Sequence, residues 1–173
     1  MKIGYRTGLI LAFACLLAVP AHAQEAPAPY KNVISANPFG LLLTWFNAEY
    51  ERVVGESSTI GVGGSTFEDG DDDVVDEDTR YVNADVFYRF YPSGRPLDGW
   101  AFGVKAGITD VTDAGTYAGF GFDVNRSWLL GKRDNFYVGI GFGLKRLIGV
   151  QDEDAVDLEF IPTIRIVNVG IAF

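Results

Sequence analysis

From residue 32 onward the chain alternates between large apolar side chains and small or polar ones, in eight segments separated by turn-forming residues. The segments cover residues 32–43, 45–54, 58–67, 80–91, 100–110, 116–129, 136–148 and 158–173. A period of two is typical of β-strands, because successive side chains point to opposite faces. Most segments are near the ~9–11 residues that a tilted transmembrane strand needs. The pattern predicts an all-β fold of eight antiparallel strands.

The connections between the segments alternate in length and charge. The second, fourth and sixth are compact and turn-forming, and they cover residues 55–57, 92–99 and 131–135. The third, fifth and seventh, residues 68–79, 111–115 and 150–157, are mostly longer and all acidic. Tight periplasmic turns and longer extracellular loops are typical of outer-membrane barrels. The alternation therefore predicts an up-and-down barrel with an acidic outer end.

The two faces of each segment differ in a way that suits a narrow barrel. In the seventh segment the large side chains Phe136, Val138, Ile140, Phe142 and Leu144 share one face, and Gly139, Gly141, Gly143 and Lys145 share the other. Alternation alone fits a soluble sandwich as well, with the large side chains in its core. Glycine opposite large residues, however, suits the small interior of an eight-stranded barrel. We therefore expect the large apolar face to point at lipid.

Aromatic residues gather at the strand ends predicted to lie on the periplasmic side. They are Tyr88, Phe90, Trp100, Trp128 and Phe136, with Tyr30, Tyr91, Tyr137 and Phe173 near the same rim. Core aromatics would instead spread along the strands. The clustering predicts one rim of an aromatic girdle at the level of the lipid headgroups.

Residues 1–23 have the features of a cleaved secretory signal peptide. Lys2 and Arg6 precede an apolar run from Gly8 to Val19, which is too short to span a bilayer as a helix. Small residues flank His22 just before the predicted cleavage point at Gln24. Residues 24–31 then form a short leader, and residues 32–173 form the predicted barrel.

The residues left after this cleavage exclude several classes of function. The single Cys, the single His and the single Met all lie within residues 1–23, which removes disulfide, thiol and imidazole chemistry. Twelve basic side chains against 23 acidic ones do not form the positive surface that nucleic acid requires. A Ser nucleophile without a neighbouring base is inert. We therefore expect no catalytic residues, no enzyme activity, no cofactor and no nucleic-acid partner.

Charged residues on the small or polar face of the segments are predicted to point into the barrel. They are Glu49, Glu51, Asp85, Arg89, Lys105, Asp123 and Lys145. Buried charges destabilise a protein unless they are paired. Pairing of the segments around their turns places Lys105 between Asp85 and Asp123. The two interpretations are a lumen plugged by salt bridges and the lining of a narrow polar path.

Acidic and basic residues near the loops bear on metal and lipid binding. The sequence D-G-D-D-D within 68–79 only loosely matches a Ca²⁺ loop, because Arg80 stands where a bidentate Glu is needed. We expect a solvated charge run and no specific metal site. Arg80, Lys145 and Arg146 near the same rim are expected to contact the phosphates of outer-membrane lipids and lipopolysaccharide.

The last segment ends on Phe173, with Ile171 and Val169 on the same face. This ending resembles that of bacterial outer-membrane β-barrels, whose terminal Phe is recognised by the barrel-assembly machinery. The same count places Arg165 on the lipid face, unless a bulge between residues 165 and 167 turns it inward. The sequence leaves both placements open.

The stretch N-P-F-G-L-L-L-T-W-F-N-A-E-Y-E-R, residues 37–52, resembles the start of a family of small outer-membrane β-barrels of unknown function. More distantly, the chain is similar to the eight-stranded domain of OmpA-type proteins. The resemblance implies an eight-stranded antiparallel up-and-down transmembrane β-barrel in the cell outer membrane.

The resemblance implies little about activity. We expect a monomeric, non-enzymatic barrel with a structural or surface-interaction role through its acidic loops. The alternatives are a narrow pore or lateral path for small polar or apolar molecules, and a secreted soluble barrel that binds lipid.

Overall fold

A computed structural model describes residues 30–39, 45–69, 79–112, 114–148 and 160–173. The strands in these ranges are β1 (Asn32–Ala36), β2 (Trp45–Gly55), β3 (Ser58–Asp69), β4 (Thr79–Phe90), β5 (Gly99–Val111), β6 (Gly115–Leu130), β7 (Phe136–Ile148) and β8 (Phe160–Ala172). Each strand pairs antiparallel with the next, and β8 pairs with β1. The predicted closed barrel of eight antiparallel strands is confirmed. Within the described residues no helix is long and apolar enough to cross a membrane.

The strand connections divide the barrel into two ends. Residues 56–57, 91–98 and 131–135 join β2 to β3, β4 to β5 and β6 to β7, and we call this side the turn end. The opposite side is the loop end. The predicted signal peptide and most of the predicted leader lie outside the described residues, as do residues 70–78 and 149–159 of the acidic loops.

The outer surface of the barrel is apolar and its interior is charged. Val86, Val104 and Phe142 are 56%, 61% and 56% exposed, whereas Arg89 and Lys145 are buried. A contiguous exposed apolar surface of this extent marks contact with lipid or a partner. The expected orientation, with the large apolar face outward, is confirmed.

Glycine on one strand makes room for a large inward side chain on the next. A Cβ at Gly103 would overlap the Asp123 carboxylate and lie 3.0 Å from Cγ of Arg89. A Cβ at Gly61 would overlap the ring of Phe87. The glycines therefore set which charged and aromatic side chains fit inside so narrow a barrel.

The turn end is closed by an apolar cluster, the turn-end plug, formed by Val33, Leu97, Tyr137 and Ala172. Leu97 lies in the β4–β5 connection with φ +70°, a conformation that costs a non-glycine residue free energy. Its side chain is completely buried in the plug. Packing in the plug therefore offsets the strain of a turn that directs an apolar side chain into the barrel.

A bulge in β8 decides the placement of Arg165. Gly139 and Gly141 on β7 pair with Asn168 and Arg165 on β8, so β8 has one residue more over this interval. The extra residue turns Arg165 into the interior and leaves Ile166 exposed. Of the two placements that the sequence left open, the inward one is observed.

The barrel closes where β8 meets β1. Val33 pairs with Ala172 and Ala36 with Val169. The carbonyl oxygen of Phe173 accepts hydrogen bonds from the backbone nitrogen of Asn32 at 2.9 Å and from its side-chain amide at 3.1 Å. The final residue of the chain thus holds the first strand in register, while its own ring is exposed on the outer surface.

Candidate functional site in the barrel lumen

Arg89 of β4 lies at the centre of the buried charges. Its Nη1 atom is 2.8 Å from Oε2 of Glu51 and 3.0 Å from Oε2 of Glu49, and its Nη2 atom is 3.5 Å from Oδ2 of Asp123. The guanidinium also lies 4.0 Å from the centroid of the Phe87 ring. One arginine therefore joins carboxylates from β2 and β6 across the lumen, with geometry that suits its planar fork of donors.

Glu51 is held by hydroxyl groups on its other side. Thr59 Oγ1 donates to Oε1 of Glu51 at 2.5 Å, and the Tyr91 hydroxyl donates to the same oxygen at 2.7 Å. Burial raises the pKa of Tyr91 well above its ordinary value, and the neighbouring Glu51 charge adds to the effect. The Tyr91 hydroxyl therefore stays protonated and serves as a donor to the carboxylate.

Arg165 connects the charges to the turn-end plug. Its Nη2 atom lies 3.2 Å from Oε2 of Glu49 and donates to the Tyr137 hydroxyl at 3.1 Å. The Nη1 atom of Arg165 donates to Oδ1 of Asn125 at 3.4 Å. The bulge in β8 thus adds a cation that the alternation of the sequence did not assign to the interior.

Lys105 and Asp85 have different partners from the pair that the sequence predicted. Lys105 Nζ lies 3.4 Å from Oδ2 of Asp123 and donates to Thr163 at 2.9 Å. Asp85 instead accepts from Lys145 at 2.6 Å, and Lys145 also donates to a backbone oxygen of β5. The prediction that Lys105 is bound by both carboxylates was wrong for Asp85. The reason is that the predicted pairing considered adjacent strands only, whereas a lysine on β7 reaches β4 across the narrow lumen.

The burial of Lys145 also corrects its expected role at the rim. Its side chain is completely buried, so it is not positioned to bind lipid phosphates. Arg80 and Arg146, on the outer face near the loop end, are exposed. The two arginines are therefore the remaining candidates for that contact.

Among the described residues, eight charged side chains lie inside the barrel, and we call them the lumen network. Its members are the carboxylates Glu49, Glu51, Asp85 and Asp123 and the cations Arg89, Lys105, Lys145 and Arg165. All seven charged residues predicted from the sequence lie in it, and Arg165 is added. Four charges of each sign make the network neutral as a whole. Its contacts link β2, β4, β5, β6, β7 and β8 across the barrel.

A cavity of about 350 Å³ lies inside the barrel between the lumen network and the loop end. Lys105, Asp85 and Glu49 are among its polar lining, and Asn47 of β2 also faces it. At the loop end its wall is aromatic and apolar, with Trp45, Phe67, Tyr81 and Ile161. Alternation along the strands does not predict this cavity, because its size depends on how the side chains of the lumen network pack against each other.

The predicted girdle residues lie at the turn end, on the outer surface. Tyr88, Phe90, Trp100 and Phe136 are exposed there, and Trp128 is half-buried with the Arg126 guanidinium 5.1 Å from its ring centroid. Two of the other aromatics near the same rim differ from the prediction. The Tyr91 and Tyr137 rings are buried inside the barrel, where their hydroxyls bind Glu51 and Arg165.

The acidic run at residues 68–79, and with it the expectation of a solvated charge run without a metal site, falls largely outside the described residues. Residues 70–78 hold most of the acidic run, and the side chains of residues 68, 69 and 79 are not described either. Within the described ranges, no group of three His, Cys, Asp or Glu side chains is arranged to hold a metal ion.

Comparison with known proteins identifies one fold relative. No protein-family model and no curated protein sequence matches this chain. Among solved structures it is similar to the Yersinia pestis outer membrane protein Ail, determined in a phospholipid bilayer nanodisc, with a TM-score of 0.51 and 13% sequence identity. The match covers 83% of this chain and 99% of Ail. At this identity the likeness shows the fold alone: the chain has the barrel fold of an outer-membrane protein. The resemblances that rest on residues 37–52 and on OmpA-type proteins stay predictions.

Proposed function

We propose that this chain is a non-enzymatic barrel of the bacterial outer membrane with a structural or surface-interaction role. The observation that carries the proposal is that the outer surface is apolar, whereas the interior holds paired charges that sum to zero. A soluble barrel would place charges outside and apolar side chains inside. The opposite arrangement here suits a bilayer, and the described strands pair with one another around the closed barrel.

The interior argues for a plugged barrel in preference to a pore. The lumen network and the turn-end plug lie one after the other along the barrel axis. A permeating ion would have to break the Arg89 bonds to Glu49 and Glu51 and then pass the apolar plug. A role at the surface, through the acidic loops at the loop end, therefore fits the molecule better than transport.

Three partners follow from the same proposal. The apolar outer surface contacts outer-membrane lipids, and the exposed Arg80 and Arg146 contact the phosphates of lipopolysaccharide. The ending at Phe173, with Ile171 exposed beside it, is the signal for the barrel-assembly machinery. The barrel serves these contacts as a monomer, since its closed sheet has no free edge in the described strands.

Two experiments test the proposal. The protein, refolded into phospholipid vesicles, is run on a denaturing gel with and without boiling, and a closed barrel migrates differently when unheated. Planar-bilayer recording then separates a plug from a pore: the plug gives no steady channels. Reproducible unitary steps would favour the transport alternative, and partition into the aqueous fraction would refute the membrane location.

A further inference from the structure

The cavity between the lumen network and the loop end is lined by a buried amide that the described residues do not satisfy. Asn47 is 6% exposed and lines the cavity. Neither its amide nitrogen nor its oxygen has a hydrogen-bond partner among the described residues. A buried polar group without a partner costs free energy, so such groups are rare in folded proteins and call for an explanation. A polar ligand in the cavity would supply the donor and the acceptor that this amide lacks.

Two charged groups in the same cavity have unused bonding capacity. The Asp85 side chain is 13% exposed, and of its two oxygens only Oδ1 accepts a hydrogen bond from the described residues. The Lys105 side chain is 12% exposed and uses its ammonium for Asp123 and Thr163, which leaves one of three donors. A carboxylate and an ammonium facing one cavity favour a ligand that carries both charges. A ligand of single charge would instead leave the neutral lumen network with an uncompensated buried charge.

Aromatic rings form the outer part of the cavity wall. The ring centroids of Trp45 and Phe67 are 5.3 Å apart at an interplanar angle of 60°, and those of Phe67 and Tyr81 are 6.1 Å apart at 31°. Such surfaces pack well against another flat ring. The cavity volume of about 350 Å³ lies at the small end of the range for small-molecule sites, ~300–1,000 Å³.

We propose that this cavity is a binding site for a small aromatic zwitterion. The ring of the ligand packs against Trp45 and Phe67, its ammonium faces Asp85, and its carboxylate faces Lys105 and the Asn47 amide. The site shares Asp85 and Lys105 with the lumen network, and ligand binding there does not require the barrel to conduct.

The first test uses free phenylalanine as the probe, with the refolded full barrel in detergent micelles and titration calorimetry as the readout. We expect saturable one-to-one binding with a Kd of about 1 mM or tighter, the range for a ligand of this size. Two analogues each lack one charge: 3-phenylpropionate has no ammonium, and 2-phenylethylamine has no carboxylate. Each should bind at least about tenfold more weakly, because one charge-assisted hydrogen bond is lost.

The second test locates the site with matched variants. Asn47→Leu and Asn168→Leu each replace an unpartnered buried amide with an isosteric apolar side chain, but Asn168 does not line the cavity. Both variants should keep or raise the Tm. Only Asn47→Leu should weaken phenylalanine binding, by about tenfold.

Emission of Trp45 gives an independent readout in a variant with Trp100→Phe and Trp128→Phe, whose rings lie on the outer surface. Phenylalanine should shift this emission at the concentrations that saturate the calorimetric signal. Absence of saturable binding by both readouts would overturn the proposal. Equal affinity for a single-charge analogue would overturn the zwitterion, and equal loss in the two Asn variants would overturn the location.

Discussion

Replacing Arg89 with methionine removes the cation at the centre of the lumen network while keeping a long apolar side chain. Glu49 retains Arg165, and Asp123 retains Lys105. Glu51 is left with only the hydroxyls of Thr59 and Tyr91 within the described residues. The penalty therefore falls mainly on one uncompensated buried carboxylate.

The expected magnitude follows from that single orphaned charge. Breaking a buried ion pair by removing one partner costs about 3–5 kcal/mol, so Arg89→Met should lower the free energy of unfolding by that amount. Adding Glu51→Gln removes the orphaned charge and keeps acceptors for both hydroxyls. The double variant should therefore return to within about 2 kcal/mol of the wild type.

Guanidinium unfolding of the protein in phospholipid vesicles, followed by tryptophan fluorescence, measures these differences. Lys132→Met in the exposed β6–β7 turn is the control for loss of a positive charge, with an expected change within about 0.5 kcal/mol. The orphaned Glu51 charge is refuted as the source of the penalty if Arg89→Met lies within about 1 kcal/mol of the wild type. It is equally refuted if Glu51→Gln adds a further loss to Arg89→Met.

Three further predictions concern the wall and the end of the barrel. Gly103→Ala should reduce the folded fraction in the unheated gel assay, because overpacking costs about 1–3 kcal/mol. Gly64→Ala should leave the folded fraction unchanged, because its added Cβ meets only a backbone oxygen at 3.5 Å. Val104 lies on the outer face in the middle of β5, and Val104→Arg should lower the free energy of unfolding in vesicles by about 2–4 kcal/mol. Val54→Arg, near the turn end, should lower it by about 0–1 kcal/mol. Equal losses for the two variants would contradict a bilayer around the barrel. Phe173→Ala keeps the backbone bonds to β1, so the purified protein should refold with unchanged stability, while the amount reaching the outer membrane of cells should fall; unchanged delivery would remove Phe173 from the assembly signal.

The sequence predicted the barrel because each strand repeats one simple choice, large apolar outward and glycine or charge inward. That repetition identified seven members of the lumen network and the outward placement of Val86, Val104 and Phe142. It works because the side-chain period of a strand is independent of the partners that the strand finds. The face on which each side chain of a strand lies can therefore be predicted before the tertiary structure is known.

Partners across the lumen could not be predicted in the same way. Asp85 pairs with Lys145 from β7 because the barrel is narrow enough for a lysine to reach the opposite wall. The pairing of neighbouring strands gives no information on the distance across the lumen. Tyr137 shares the inward face with Lys145, yet its residue type suggested a girdle. The inward turn of Leu97 and the bulge after Arg165 depend on tertiary packing, and local pattern does not encode them.

The pairing of β8 with β1 has a consequence for the order of assembly. β8 completes the hydrogen bonding of β1 and is the last of the eight described strands along the chain. β8 must therefore be synthesised before β1 can pair with its second neighbour. Until then two strands would carry unpaired backbone groups, which hydrocarbon tolerates poorly. Closure of the barrel thus requires contact between two strands that are very far apart in the sequence. Folding that depends on such contacts is intrinsically slow. An escort that keeps the exported polypeptide unfolded until its final strand arrives would meet this requirement.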